Sequence, residues 1–136
     1  KGSRFDAILS TSVFEHLDDV EGITRALANL TAPRGLQLHY VDLRDHFFKY
    51  PFEMLCYSEK TWYGWLNPTS HHNRWRLHRY ASLFNSLFSE VEIEVLERDL
   101  EAYKKVKDRI RPEFISGDPQ VDAVTLIKIL VKKPIH

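Results

Sequence analysis

Between Phe5 and Leu43 the chain runs strand, helix, tight turn, strand, and this order constrains the fold more than any other feature. Phe5-Asp6-Ala7-Ile8-Leu9 is a short apolar run ending in the polar loop Ser10-Thr11-Ser12, which reads as a buried strand. Asp18 stands three residues before Glu21, a capping-box arrangement. Beyond it Val20, Ile23, Ala26, Leu27 and Leu30 fall on one helical face. Pro33-Arg34-Gly35 stops that helix, and Leu36 to Leu43 follows as a second strand. Two strands joined through one helix pair in parallel with a right-handed crossover, which places the chain in the α/β class.

Composition narrows the function. A chain of 136 residues fits one domain. Lys plus Arg and Asp plus Glu each number 19, so the net charge is zero and leaves no electrostatic footprint for nucleic acid or an anionic membrane. No apolar run approaches the ~20 residues that cross a bilayer, and no signal peptide opens the chain. Cys56 is the only cysteine, which excludes an internal disulfide and any multi-cysteine zinc site and points to a reducing cytoplasm. The five glycines stand far apart, so no glycine-rich phosphate loop can form.

The middle of the chain is of a different kind. Nine of its seventeen aromatic residues lie between Phe47 and Trp75, among prolines, asparagines and histidines, with a short helix possible over Glu59 to Leu66. Leu77, Tyr80, Ala81, Phe84, Leu87 and Phe88 then restore a helical stripe. In Glu90 to Val95 apolar and acidic residues alternate, the mark of a half-exposed strand at a sheet edge. Ala123 to Val131 is almost continuously apolar, the mark of an interior strand, expected to slot between the second strand and the alternating one. Leu100 to Ile110 between them reads as a charged surface helix.

The segment from Phe5 through Ser10-Thr11-Ser12-Val13-Phe14-Glu15-His16-Leu17 resembles the fourth-strand motif of class I S-adenosylmethionine-dependent methyltransferases, an "FD-apolar-apolar" strand followed by an "S-x-x-EH-apolar" loop. Leu27, Leu30 and Pro33-Arg34-Gly35-Leu36 are similar to that family's helix and "L-x-PGG-x-L" turn, with Arg34 in place of the commoner glycine. The resemblance covers most of the chain and is weakest over 47–75 and 99–120. It implies the carboxyl-terminal half of a Rossmann-like domain, a mixed sheet of about four strands in the family order 4-5-7-6, the seventh antiparallel, with flanking helices. The family's glycine-rich loop and ribose-binding acid precede the fourth strand. Residues 1–136 are therefore expected to be a partial domain with an aromatic-rich insertion at about 47–75, inactive alone, whose complete form transfers a methyl group to a small-molecule acceptor.

The resemblance places Ser10, Thr11, Ser12 and Val13 along the methionine end of S-adenosylmethionine, with His16 close by. Read without it, the same serines and threonine end a strand, and His16 bonds within its own loop or acts as a base. Asp42, Asp45 and His46 stand at the carboxyl end of the second strand, where open α/β sheets bind ligands. A carboxylate beside a histidine suits proton abstraction, though Asp45 could instead cap the next turn. The aromatic stretch supplies Trp62 and Trp65 to an acceptor pocket or to its own packing. Arg74, Arg76 and Arg79 hold an anionic substrate group or lie solvated, Arg76 being the substrate candidate. Adjacent His71 and His72 point apart, so no metal site is expected. A degenerate interaction domain and a metal-dependent hydrolase built on Asp42, Asp45 and His46 are the competing readings. An unpaired strand Phe5 to Leu9 would make the chain a homodimer or larger assembly through that edge.

Overall fold

A computed structural model describes residues 2–67 and 71–136. Residues 1 and 68–70, which belong to the expected domain and insertion, lie outside the described residues. Strand β1 (Phe5–Thr11) leads through the 3-10 turn Phe14–His16 to helix α1 (Val20–Leu30), and β2 (Thr31–Asp42) follows without a loop. The insertion contains a 3-10 turn (Glu53–Cys56) and α2 (Glu59–Thr61), which continues into the π-helical turn Trp62–Leu66. Next come α3 (Leu77–Leu87), β3 (Phe88–Arg98), α4 (Leu100–Val106), α5 (Pro119–Asp122) and β4 (Val124–Pro134).

The four strands stand in the order β1-β2-β4-β3. β1 and β2 are parallel, and β4 runs antiparallel to both of its neighbours. This is the topology the sequence implied, with the apolar strand interior and the alternating strand at an edge. β1 is the other edge.

Local details differ from the sequence reading. The α1 N-cap is Asp19, whose Oδ1 accepts from Gly22 N at 2.8 Å, rather than Asp18. The helix seats Val20, Thr24 and Ala28 inward and leaves Ile23 and Leu30 about two-fifths exposed. Thr24 can be buried because its hydroxyl donates to Val20 O at 2.6 Å, within the helix itself. Pro33-Arg34-Gly35 does not stop the helix; it sits in a bulge after the first residue of β2, where the register jumps from Phe5↔Thr31 to Ala7↔Leu36. Gly35 is required there, since a Cβ would stand 2.8 Å from Phe5 O and 3.1 Å from Ala32 N.

Both long helices pack on the same face of the sheet. That face carries the cross-strand row Ser10, His39, Ile129, Ile93, and its core is built from Phe14, Val41, Tyr80, Phe84, Ile127 and Val131. The other face carries the row Leu9, Leu38, Leu130, Glu92, which runs from apolar at β1 to charged at β3. Leu9 is 68% exposed and Phe5 53%, so β1 is not the buried strand that its composition suggests. A second core lies under the insertion, where Phe52, Met54, Leu55 and Trp62 meet Tyr103 and Ile110. No helix among the described residues is long and apolar enough to cross a membrane.

Candidate functional site

The carboxyl ends of β1 and β2 lie side by side and present the loop 10–17 next to the segment 42–46. Ser12 takes a left-handed φ of 55° and donates its N–H to Tyr40 O at 3.0 Å, which turns the chain sharply out of the sheet. Val13 is exposed, while Phe14 goes inward against the ring of His39 (centroids 4.5 Å apart).

Beneath this loop runs a chain of buried hydrogen bonds. Thr31 Oγ1 donates to Leu27 O, and Gln37 Nε2 donates to Thr31 Oγ1, each at 2.8 Å. Gln37 Oε1 therefore accepts from His39 Nε2 at 2.8 Å, and His39 Nδ1 accepts from Ser10 Oγ at 2.7 Å. Burial drives the His39 pKa down to about 4, so its ring is neutral at physiological pH. The Ser10 proton is consequently spent on His39 Nδ1, which leaves the serine oxygen as an acceptor. His39 and Gln37 are side chains that sequence reasoning passed over. Their alternate positions in β2 mark them as facing the core, but nothing in the sequence shows that Thr31 and Ser10 complete the chain.

Three histidine rings meet at the mouth of the site. His16 and His46 have centroids 5.1 Å apart, His46 and His72 5.1 Å, and His16 and His72 5.8 Å. His16 Nδ1 lies 3.1 Å from His71 O; a carbonyl only accepts, so Nδ1 carries a proton and donates it there. His46 Nε2 is 3.4 Å from Asp42 Oδ2. Burial alone would raise the Asp42 carboxyl, but hydrogen bonds from the Arg44 side chain and backbone, with its charge, together hold it below the usual value. His72 is buried, its Nδ1 accepts from Arg74 N, and burial followed by the charges of His46 and His16 pushes its pKa to about 3. His71 and His72 do point apart, yet His72 arrives at the site from the far end of the insertion.

Glu15 is the residue whose importance the motif concealed. It is fully buried, neither carboxylate oxygen has a partner, and burial raises its pKa. Its neighbour Asn73 fastens the insertion to this loop: Nδ2 donates to Phe14 O at 2.7 Å and to Leu17 O at 2.9 Å, and the backbone N to Glu15 O at 2.9 Å.

Several expected residues lie elsewhere. Asp45 is buried, and its Oδ1 accepts from Phe47 N at 2.7 Å and Phe48 N at 2.9 Å, which caps a turn, while its Oδ2 is buried without a hydrogen-bond partner among the described residues. Arg76 is 4% exposed and donates to Leu43 O at 2.6 Å and Val124 O at 2.9 Å, so it ties the start of α3 to the ends of two strands rather than reaching a ligand. Trp62 is wholly buried with its indole N–H on His72 O at 2.9 Å, whereas Trp65 is 82% exposed. The structure thus brings together Ser10, Thr11, Ser12, Val13, His16, Asp42 and His46, and leaves Asp45, Trp62, Trp65 and Arg76 outside. Among the described residues no group of three or more His, Cys, Asp or Glu is arranged to hold a metal ion.

No family model matches the chain, and neither does any curated protein sequence. Solved structures do. The fold is that of S-adenosylmethionine-dependent methyltransferases: 96% of the chain superposes on the Haemonchus contortus phosphoethanolamine N-methyltransferase 2 bound to S-adenosyl-L-methionine, with a TM-score of 0.54 and 13% identity. The same enzyme in complex with phosphomonomethylethanolamine and S-adenosylhomocysteine gives 0.54 and 14%. In each case the chain spans only 34% of the matched protein.

Proposed function

We propose that this chain is the carboxyl-terminal section of an S-adenosylmethionine-dependent methyltransferase domain acting on a small-molecule acceptor. The observation that carries this reading is the union of a methyltransferase sheet order with a ligand-facing loop at the carboxyl ends of β1 and β2. The bare flank of β1 supports the partial-domain aspect, since that is where the rest of such a sheet would pair.

Residues Ser10 to Val13 suit the cofactor. The Ser10 hydroxyl proton is spent on His39, which leaves its oxygen as an acceptor, and the left-handed turn at Ser12 takes the chain out of the sheet at that point. The bound cofactor supplies an electrophilic methyl group on a sulfonium. The chain's own part is then to hold the acceptor in line and take its proton. His16 Nε2 is the available base, and His46, steadied by Asp42, is the second. Glu15 lies buried in the same loop as His16, where burial favours its neutral, protonated form. The similar Haemonchus contortus enzyme is an N-methyltransferase of phosphoethanolamine, which supports an amine acceptor here.

The test is a radiolabelled methyl-transfer assay on the polypeptide that carries this section together with its upstream sequence. Replacing His16 or His46 by alanine should lower turnover about 10²–10⁴-fold with cofactor affinity retained. Cofactor bound without transfer to any amine or hydroxyl acceptor would favour the interaction-domain reading. This chain alone should bind the cofactor with a dissociation constant weaker than about 10 μM.

A further inference from the structure

Two guanidinium groups are buried in this protein with no carboxylate paired to them. Arg74 is 3% exposed and Arg76 4%, and neither belongs to an ion pair among the described residues. Buried charges are ordinarily paired, because leaving water uncompensated is costly. For Arg76 the carbonyls of Leu43 and Val124 compensate. For Arg74 the compensation is incomplete. Its Nη1 donates to Met54 O at 3.1 Å and Tyr57 O at 2.8 Å, and the rings of Trp62, Tyr63 and Phe114 surround it, but its Nε is buried with no acceptor. Its backbone is also held at a left-handed φ of 61°.

Arg74 lines a cavity of about 220 Å³ between the α2 turn, the segment 73–76 and Glu113–Phe114. Arg79 forms another part of the wall, its guanidinium carbon 3.9 Å from the centroid of the Trp75 ring. The start of α3 borders the same space. Its N-cap is Arg76, whose side chain gives no capping acceptor; Arg79 N is taken by Arg76 O at 3.1 Å, which leaves the Leu77 and His78 N–H groups of this eleven-residue helix uncapped. Glu59 and Glu113 stand on the wall as well, Glu113 already accepting from Arg111 at 2.9 Å. Their charge admits one compact anion and opposes a polyanion.

We infer that this cavity is a site for a compact oxyanion, the phosphate or carboxylate group of a small ligand, held by Arg74, Arg79 and the uncapped Leu77 and His78 N–H groups at the start of α3. Burial lowers the pKa of Arg74 and brings that of Arg76 down to about 10, a cost that an anion would relieve. The site is separate from the histidine cluster and does not depend on methyl transfer. It is connected to that cluster through the backbone, since Asn73 and His72 precede Arg74 directly. An anion seated here fixes the segment that carries both to the loop after β1.

The probe is inorganic phosphate added to the chain at constant ionic strength, followed by the ¹⁵N-detected side-chain signals of the arginines and tryptophans. The Arg74 and Arg79 Nε–H and Trp75 indole signals should move together on one saturating curve, half-complete at about 1 mM. In Arg79→Gln, an exposed position whose change leaves the fold intact, half-saturation should rise about tenfold. Glu59→Gln should lower it severalfold, a gain that loss of folding cannot imitate. Acetate and phenyl phosphate in place of phosphate separate the sources: saturation by acetate as well assigns any oxyanion, and saturation only by the two phosphates assigns a phosphate group. Shifts that stay linear to about 20 mM, or a curve unchanged in Arg79→Gln, overturn the site.

Discussion

The two edges of the sheet solve the same problem in opposite ways. β3 ends the sheet with Glu90, Glu92, Glu94 and Glu97 exposed, and Lys128 and Lys133 reach across to Glu94 and Glu90. Charges of one sign along an edge deter a further strand. β1 ends it with Phe5 and Leu9 more than half exposed, beside exposed Val13, Ile23 and Leu30 from the next loop and helix. That flank has backbone groups to offer, apolar side chains around them and little charge to repel a partner. One edge is finished with charge; the other is left apolar and exposed. The region matched here makes up 34% of each of the two neighbouring solved structures.

The comparison breaks most visibly in the state of association. At about 50 μM the chain should sediment as a dimer or larger, and the pair Phe5→Glu, Leu9→Lys should return it to a monomer. The same charges placed on β3 at Val91 and Ile93 should leave association unchanged while destabilising the fold. A monomer in the unaltered chain would remove the distinction between the edges.

A second contrast sets the covered face against the bare one. Ile129 is fully buried under the helices, so Ile129→Ala should cost about 2–5 kcal/mol of unfolding free energy. Leu130, one residue on, belongs to the bare face, and Leu130→Ala should cost less than about 1 kcal/mol in the monomeric variant. Denaturant titration of the two reads the difference directly.

His39 sharpens the account through pH. Its folded pKa lies near 4, against an ordinary 6.5. At pH above 6.5 both folded and unfolded chains hold it neutral, and its contribution is complete. Between pH 6.5 and 4 the unfolded chain takes up the proton first, so stability falls by up to roughly 3 kcal/mol from this group. His72, lowered to about 3 by burial, extends the loss further down. His39→Gln should flatten the part of the acid limb above pH 4. An unchanged limb would mean that the ring is not buried as described.

The smallest effect belongs to the finished edge. Lys128 and Glu94 are 2.7 Å apart but partly solvated, so Glu94→Gln should change stability by less than about 0.5 kcal/mol.

The sequence made the strand order legible because period-two patterning separated β3 from β4, and a single helix joined β1 to β2. It misplaced the α1 face because Thr24 satisfies its own hydroxyl within the helix, so the buried stripe is not the most apolar one. Around the candidate site, the residues carried by two neighbouring strand ends fall together as their place in the sequence suggests: Ser10 to Val13, His16, Asp42 and His46. Those arriving from 59 positions away, as Asn73 does to Phe14, were not legible, because no local period links them. Arg76 and Trp62 were misread for a related reason. A guanidinium and an indole look like pocket residues in a list of side chains, and only the carbonyls of Leu43, Val124 and His72 show that they are spent on structure.

Hydrogen exchange resolved by residue along β1 and β3 tests the central claim most directly, because it reads which edge another chain covers. At about 50 μM the amides of Phe5–Thr11 that are not bonded to β2 should be protected, and should lose that protection on hundredfold dilution, while the outer amides of β3 exchange rapidly at both concentrations. Equal protection at the two edges, or β1 amides that exchange freely at every concentration, would contradict the account.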